Sequence, residues 1–159
     1  MTTQTDFTPE EWKQLIYAPL IAGSLIIGSD ISVTGFVKEA KAMKEATLNY
    51  EAADQSLVAD LVADFVKRME AKEKFEAPKF SNEEEISAAL KQISDAAATL
   101  EAKATPEDAK SFSQWVMNVA QATAEAAKEG GMFSKKVLVS DKEKAMLERI
   151  QQALGQDNA

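Results

Sequence analysis

The chain has 159 residues, of which 45% are hydrophobic and 28% are charged. A single domain spanning residues 1–159 is expected, because a domain of about 150 residues can bury roughly two thirds of its unfolded surface. Acidic side chains outnumber basic ones by 26 to 18, and the net charge of −8 argues against nucleic-acid binding. The sequence has no Cys and no His, which excludes disulfides, thiol nucleophiles, Cys/His zinc sites and Ser-His-Asp triads.

The N-terminal region lacks the basic segment of a signal peptide, so a cytoplasmic location is expected. The first apolar run covers residues 14–29 and is interrupted by Pro19, Gly23 and Gly28. This run is shorter than the roughly 20 residues that a spanning helix needs. We therefore expect a buried core helix here, and membrane insertion is the less favoured alternative.

The first helix has a clear start signal. Thr8-Pro9-Glu10-Glu11 combines an N-cap, a proline at the first helical position and a capping-box glutamate. The helix is expected to run to Gly28, which would end it in a left-handed conformation. Pro19 lies inside it and predicts a kink about one turn earlier.

Two further helices are predicted before the middle of the chain. Apolar residues recur at helical spacing from Phe36 to about Tyr50, and Asp54 or Ser56 caps the next helix. That third helix has the clearest amphipathic stripe in the sequence, formed by Leu57, Val58, Leu61, Val62, Phe65, Val66 and Met69. Residues 74–80, which include Pro78, are predicted to be a loop between two halves.

The second half of the chain has similar helix start and stop signals. A capping box at Ser81 opens a helix whose apolar seam comprises Ile86, Leu90, Ile93, Ala97, Leu100 and Ala104. Thr105-Pro106 opens the next helix, which is expected to end at Gly130-Gly131, and a loop follows over residues 132–139. Ser140 caps the last helix and Gly155 stops it.

These elements predict an all-α protein, a bundle of six helices, or seven if the first helix breaks at Pro19. No stretch alternates apolar and polar residues for long enough to build a sheet. Thr8-Pro9 and Thr105-Pro106 open helices of similar length, which suggests two pseudo-symmetric helical repeats over about 8–74 and 81–155. Convergent capping chemistry is the alternative explanation.

Catalytic chemistry is not expected. The predicted apolar stripes carry no inward Asp or Glu whose pKa burial would shift, and no phosphate-binding glycine motif or nucleophile elbow is present. We therefore interpret the chain as non-enzymatic.

The predicted interhelical loops and the helix starts beside them offer oxygen ligands for a divalent cation. In the first half these are Asp30 and Glu39, and in the second half Glu129, Asp141 and Glu143. Carboxylates are ligands that Ca²⁺ and Mg²⁺ prefer. The alternative is helix capping, in which Asp30 and Asp141 satisfy backbone N–H groups and favour the helix dipole.

Several stretches resemble the tellurite-resistance TerB-like helical family. The match comprises residues 124–130, the helix start Ser140-Asp141-Lys142-Glu143 with Leu147, Ile150, Leu154 and Gly155, and in the first half residues 26–32. The resemblance implies an all-α fold with paired repeats, a role in stress response and divalent-metal binding through acidic loops. The family's Asp-Gly turn is replaced by Asp30-Ile31 and Glu129-Gly130 here.

Three functions are consistent with these features. The first is a cytosolic protein that binds a divalent cation or a protein partner through its acidic loops, with stress response as its context. The second is a membrane-surface or apolar-ligand module that uses the helix over residues 9–28. The third is a homodimer that pairs through the seam over residues 86–104.

Overall fold

The computed structural model describes residues 2–30, 36–78, 80–126 and 139–155, with the side chain of Phe36 left aside. Within these ranges the chain forms six α-helices, one 3-10 turn at Gln4–Asp6 and no strand, which confirms the predicted all-α class. The helices are α1 (Pro9–Ser29), α2 (Phe36–Leu48), α3 (Leu57–Glu70), α4 (Glu83–Lys103), α5 (Pro106–Ala126) and α6 (Asp141–Ala153).

Helix α1 is the centre of the bundle and contacts each of the other five helices. An unbroken series of buried residues runs from Leu15 to Ile27, so the helix is enclosed on nearly all sides. The expected core helix is therefore confirmed, and α1 continues through Pro19 without dividing into two. None of the helices in the described ranges has the combined length and apolarity needed to traverse a lipid bilayer.

The predicted helix starts are mostly confirmed by their cap geometry. The Thr8 hydroxyl accepts a hydrogen bond from the backbone N–H of Glu11, whose carboxylate accepts one from the backbone N–H of Thr8. Ser140 and Glu143 form the same reciprocal pair at the start of α6, whereas at the start of α3 the Ser56 hydroxyl accepts a hydrogen bond from the N–H of Ala59 and receives none in return. Gly155 adopts φ +76°, as expected of a residue that stops a helix. The predicted end of α5 at Gly130-Gly131 lies outside the described residues.

Two predicted boundaries were wrong by one residue. Helix α1 ends at Ser29, and Gly28 remains helical within the last turn. Helix α4 is capped by Asn82, whose side chain accepts from the N–H of Glu85, while Ser81 donates its own N–H to the Glu85 carboxylate. Ser and Asn are equally good caps, so the sequence did not distinguish the two positions.

The buried line of α4 follows the predicted seam only in part, at Ile93 and Leu100. Its fully buried residues are Ala89, Ile93, Ala96 and Leu100. The larger side chains of Ile86 and Leu90 are only partly buried and pack against the same core. Small alanines let α4 approach α1 closely, which places the bulkier residues at the edges of the contact. The seam thus packs within the chain.

Candidate ligand-binding site

The predicted acidic ligands are dispersed among different helix ends. Asp30 is the C-cap of α1, Glu39 is buried in the first turn of α2, and Asp141 is an exposed residue at the start of α6. Within the described ranges, no three Asp, Glu, Cys or His side chains are grouped so as to hold a metal ion. Glu129 lies outside the described residues, so a cation site that includes it stays a prediction.

Glu143 is the most unusual of these carboxylates. Its residue is 2% exposed, and its Oε1 atom accepts a hydrogen bond of 3.1 Å from the backbone N–H of Ser140. Its Oε2 atom is buried and accepts no hydrogen bond from any described residue. Half of this carboxylate thus completes the cap of α6, a role that the capping alternative assigned to Asp30 and Asp141. The other half has no donor among the described residues.

The connection between α3 and α4 builds a different kind of site. We call residues 74–80, apart from residue 79, the 74–80 segment, and its two phenylalanines contact α1. The Phe75 ring stacks on the Tyr17 ring with centroids 5.3 Å apart and an interplanar angle of 28°. At the other end of the segment, the Phe80 ring covers Gly28, where a Cβ atom would lie 3.0 Å from Phe80 Cδ2. A larger residue at position 28 would therefore displace the Phe80 ring by a few tenths of an ångström.

An apolar pocket of about 300 Å³ lies beneath this segment. Helix α1 contributes one wall, α2 contributes a second, and the segment closes the third. The lining residues are Ser24, Ile27 and Gly28 from α1, Ala40 and Met43 from α2, and Phe75, Ala77 and Phe80 from the segment. The side chains lining this pocket carry no charge. One hydroxyl, that of Ser24, faces the thioether of Met43 at 3.8 Å.

A larger polar groove of about 560 Å³ adjoins the pocket on the N-terminal side of Phe75. Its walls are α1 and the 74–80 segment, with one residue from α4. The lining residues are Glu10, Lys13, Gln14, Tyr17 and Ile21 from α1, Lys74, Phe75 and Glu76 from the segment, and Gln92 from α4. Phe75 lines both spaces and therefore marks the junction between them.

A chain of polar contacts fixes the start of the segment to the bundle. Arg68 Nη1 donates to Glu73 Oε2 at 3.1 Å, and Arg68 Nε donates to Asp64 Oδ2 at 3.2 Å. The same Asp64 oxygen accepts the indole N–H of buried Trp12 at 2.9 Å. Because these contacts join α1 to α3 and to Glu73, they position the residue two places before Phe75.

Tyr17 is the titratable group at the junction. Burial raises the pKa of its hydroxyl above the ordinary value of 10.0, and the neighbouring Glu73 carboxylate raises it further, while Arg68 opposes both effects. Tyr17 is consequently neutral at physiological pH. Its ring supplies an apolar face to Phe75 and its hydroxyl faces the charged pair.

The sequence interpretation missed Phe75 and Phe80, since it treated residues 74–80 as a spacer between two halves. The signal that identifies them is composition. Two phenylalanines in a seven-residue connection with Pro78 are unusual for a solvated loop, because large aromatic side chains are usually buried at least in part. Helix α1, which the membrane-surface or apolar-ligand alternative invoked, contributes Ser24, Ile27 and Gly28 to the lining of the apolar pocket.

Comparison with known proteins does not assign the chain to a family. No protein-family model matches it, and neither a curated protein nor a solved structure shows significant similarity. The TerB-like relationship stays a prediction, and the site has to be interpreted from its own geometry.

Proposed function

We propose that this protein is a non-enzymatic binding protein that holds a small apolar ligand in the pocket between α1, α2 and the 74–80 segment. The observation that supports this function best is the pocket itself. It is lined by three elements, contains no charged side chain and leaves Phe80, Met43 and Ala40 only half-buried. Apolar side chains that remain partly open to water gain free energy when a ligand covers them.

The size of the pocket suits a small molecule. A cavity of about 150 Å³ is enough to bind benzene, and small-molecule pockets usually begin near 300 Å³. The pocket measures about 300 Å³, so it has room for a two-ring compound or a medium-length alkyl chain. An α-helix from a partner is about 10 Å across and would not fit beneath the segment.

The surface of α2 extends the apolar character beyond the pocket. Val37 is 71% exposed and is the one large hydrophobic residue in the described ranges that is exposed. It precedes Ala40 by three residues, and residues three apart share a helix face. Val37 therefore lies on the same side of α2 as the pocket wall, where it would add contact area for a ligand.

A direct test is titration with N-phenylnaphthylamine, a neutral dye whose fluorescence rises in an apolar site. We expect saturable binding at one site per chain. Ala40→Phe adds a ring about the size of benzene, which takes up roughly half of the pocket, and should weaken binding at least about tenfold. Ala98→Phe is the matched control, since Ala98 is an exposed helical residue outside the pocket. Equal binding by both variants would refute the proposal.

Cation binding is a second candidate, supported by the unsatisfied Oε2 atom of buried Glu143. A buried carboxylate oxygen with no donor is costly, and a cation would satisfy it. Melting chelator-stripped protein with Ca²⁺, Mg²⁺ or Mn²⁺ tests this idea, because a cation at about 100 times its dissociation constant adds about 2.7 kcal/mol. A shift that persists in Glu143→Gln would exclude Glu143 as the ligand.

The cellular setting is part of the proposal. A cytoplasmic location and a role in stress response are consistent with the acidic chain and with the TerB-like resemblance. Either ligand would act on this protein by binding alone, without a chemical step. The dye titration and the cation melt are independent measurements, so each candidate can fail without affecting the other.

A further inference from the structure

The apolar pocket and the polar groove are lined by one continuous face of α1. The lining positions from this helix are 10, 13, 14, 17, 21, 24, 27 and 28, which recur every three or four residues. Such spacing places them on a single side of a helix. Over these residues the face extends about 27 Å at 1.5 Å per residue, and it changes from charged at the N-terminal end to apolar at the C-terminal end.

From this arrangement we infer that the ligand is a single-chain amphiphile with a zwitterionic head group. Its alkyl chain lies in the apolar pocket and its head group lies in the polar groove. Phe75 contacts the part of the ligand where the alkyl chain joins the head group. This inference rests on the proposed function and specifies its ligand class.

The charges of the groove support a zwitterion over an anion or a neutral group. The α1 wall carries Glu10 and Lys13, and the wall formed by the 74–80 segment carries Lys74 and Glu76. All four side chains are exposed, and none takes part in an ion pair within the described part of the chain. Each wall thus presents one positive and one negative group. A head group with both charges could pair with both signs, whereas an anion would pair with the lysines and be repelled by the glutamates.

A head-group series at constant chain length tests the inference. Decylphosphocholine, decanoate and decyl maltoside carry zwitterionic, anionic and neutral heads, and each would be used below its micelle concentration to displace N-phenylnaphthylamine. We expect decylphosphocholine to displace the dye at a concentration about fivefold lower than the other two, a modest factor because ion pairs exposed to solvent are weak. The preference should decrease at high salt.

A charge variant locates the head group. Replacing all four groove charges with glutamine, at positions 10, 13, 74 and 76, should remove the zwitterion preference and leave dye binding unchanged, since none of these residues lines the apolar pocket. Lys144→Gln is the control, because Lys144 is exposed on α6 and lines neither space.

The possible failures are distinguishable. Equal displacement by all three amphiphiles, or stronger displacement by decanoate, would overturn the inference and leave the proposed apolar site in place. If none of them displaces the dye, or the dye does not bind, the proposed function fails as well. A zwitterion preference that survives the substitution of all four groove charges would place the head group outside the groove and overturn the inference.

Discussion

The Phe75 ring stacks on the Tyr17 ring at a centroid distance of 5.3 Å, and this contact ties the α3–α4 connection to the central helix. Phe75 therefore has two roles. It secures the 74–80 segment against α1, and it separates an apolar pocket from a polar groove. A ligand that occupies the pocket must contact this ring.

Removal of the ring should affect stability and binding together. Phe75→Ala deletes a half-buried aromatic side chain and its stacking contact, which should lower the free energy of unfolding by about 2 kcal/mol. Dye binding should weaken because the pocket loses one wall. Chemical denaturation and dye titration measure the two effects. Phe75→Leu retains apolar volume, so stronger dye binding by Phe75→Ala than by Phe75→Leu would contradict the role assigned to this wall.

Gly23 controls the position of Met43. A Cβ atom at Gly23 would lie 2.5 Å from Met43 Cγ and 2.6 Å from Met43 Sδ, so Gly23→Ala must displace the Met43 side chain. Thr123 Oγ1, at 3.2 Å from the same Cβ position, restricts movement to that side. We expect Met43 to move into the pocket and to weaken dye binding about fourfold, the equivalent of burying about one methylene less.

Stability should change little in Gly23→Ala. The helix gains about 1 kcal/mol when Ala replaces Gly, and this gain offsets the cost of displacing the Met43 side chain. The double variant Gly23→Ala with Met43→Ala is the control. Compared with Met43→Ala alone, which also lacks the displaced side chain, it should bind the dye equally well. Weaker binding by the double variant than by Met43→Ala alone would show that the effect of Gly23→Ala does not act through Met43.

The indole of Trp12 depends on Asp64 for its hydrogen bond. The bond is 2.9 Å long and Trp12 is 2% exposed, so Asp64→Ala would leave a buried donor unsatisfied. The expected loss of unfolding free energy is about 1–3 kcal/mol. Asp64→Asn retains an acceptor and should lose less. If the two variants are equally stable by denaturant titration, the indole contact contributes nothing.

Alkaline pH should lower the free energy of unfolding through Tyr17. The pKa of Tyr17 is raised in the folded state by burial and by Glu73, so the unfolded chain releases this proton at a lower pH than the folded one. The stabilising contribution is fully present below the unfolded pKa, near 10.0, and is lost as the pH rises through the folded pKa. Tyr17→Phe should flatten the fall in melting temperature over this range. If the melting temperature of Tyr17→Phe falls with rising pH as steeply as that of the unsubstituted protein, Tyr17 is not the group responsible.

Acidic pH should weaken two ion pairs between helices, one between α1 and α4 and one between α4 and α6. A hydrogen bond from Lys103 holds the pKa of Glu11 below 4.5, and Arg149 lowers the pKa of Glu83 in the same way. Both contributions are present above the unfolded pKa and are lost as the pH falls through the folded values. Glu11→Gln should reduce the acid dependence of the melting temperature. Glu84→Gln, in the same exposed first turn as Glu83, serves as the control.

Local chemistry made most of the fold predictable. Thr8, Ser56 and Ser140 cap the helices at which they were expected, and the predicted stripe of α3 buries Leu57, Val58, Leu61 and Phe65. The buried face of α4 was harder to predict, because Ala89 and Ala96 are buried by the closeness of a neighbouring helix. Periodicity favours the larger Ile86 and Leu90, which lie at the edge of that contact.

The candidate site was predictable only in part. Helix α1 was expected to be a buried core helix, and it is; its share in the lining of a pocket was considered only under the apolar-ligand alternative. The roles of Phe75 and Phe80 depend on where the chain crosses α1 between α3 and α4, which is a tertiary relationship with no periodic signal. The acidic ligands were chosen for their chemistry and their places in the chain, and these do not determine whether their side chains converge.

The most direct test of the central claim is to observe which side chains a ligand contacts. Methyl NMR spectra of the protein titrated with N-phenylnaphthylamine should show the largest shifts at Met43, Ile27 and Ala40, which line the apolar pocket. The methyl groups of Ile93 and Ile150, buried in the core and outside this pocket, should not shift. Shifts centred away from Met43, or no saturable shift at all, would contradict the account.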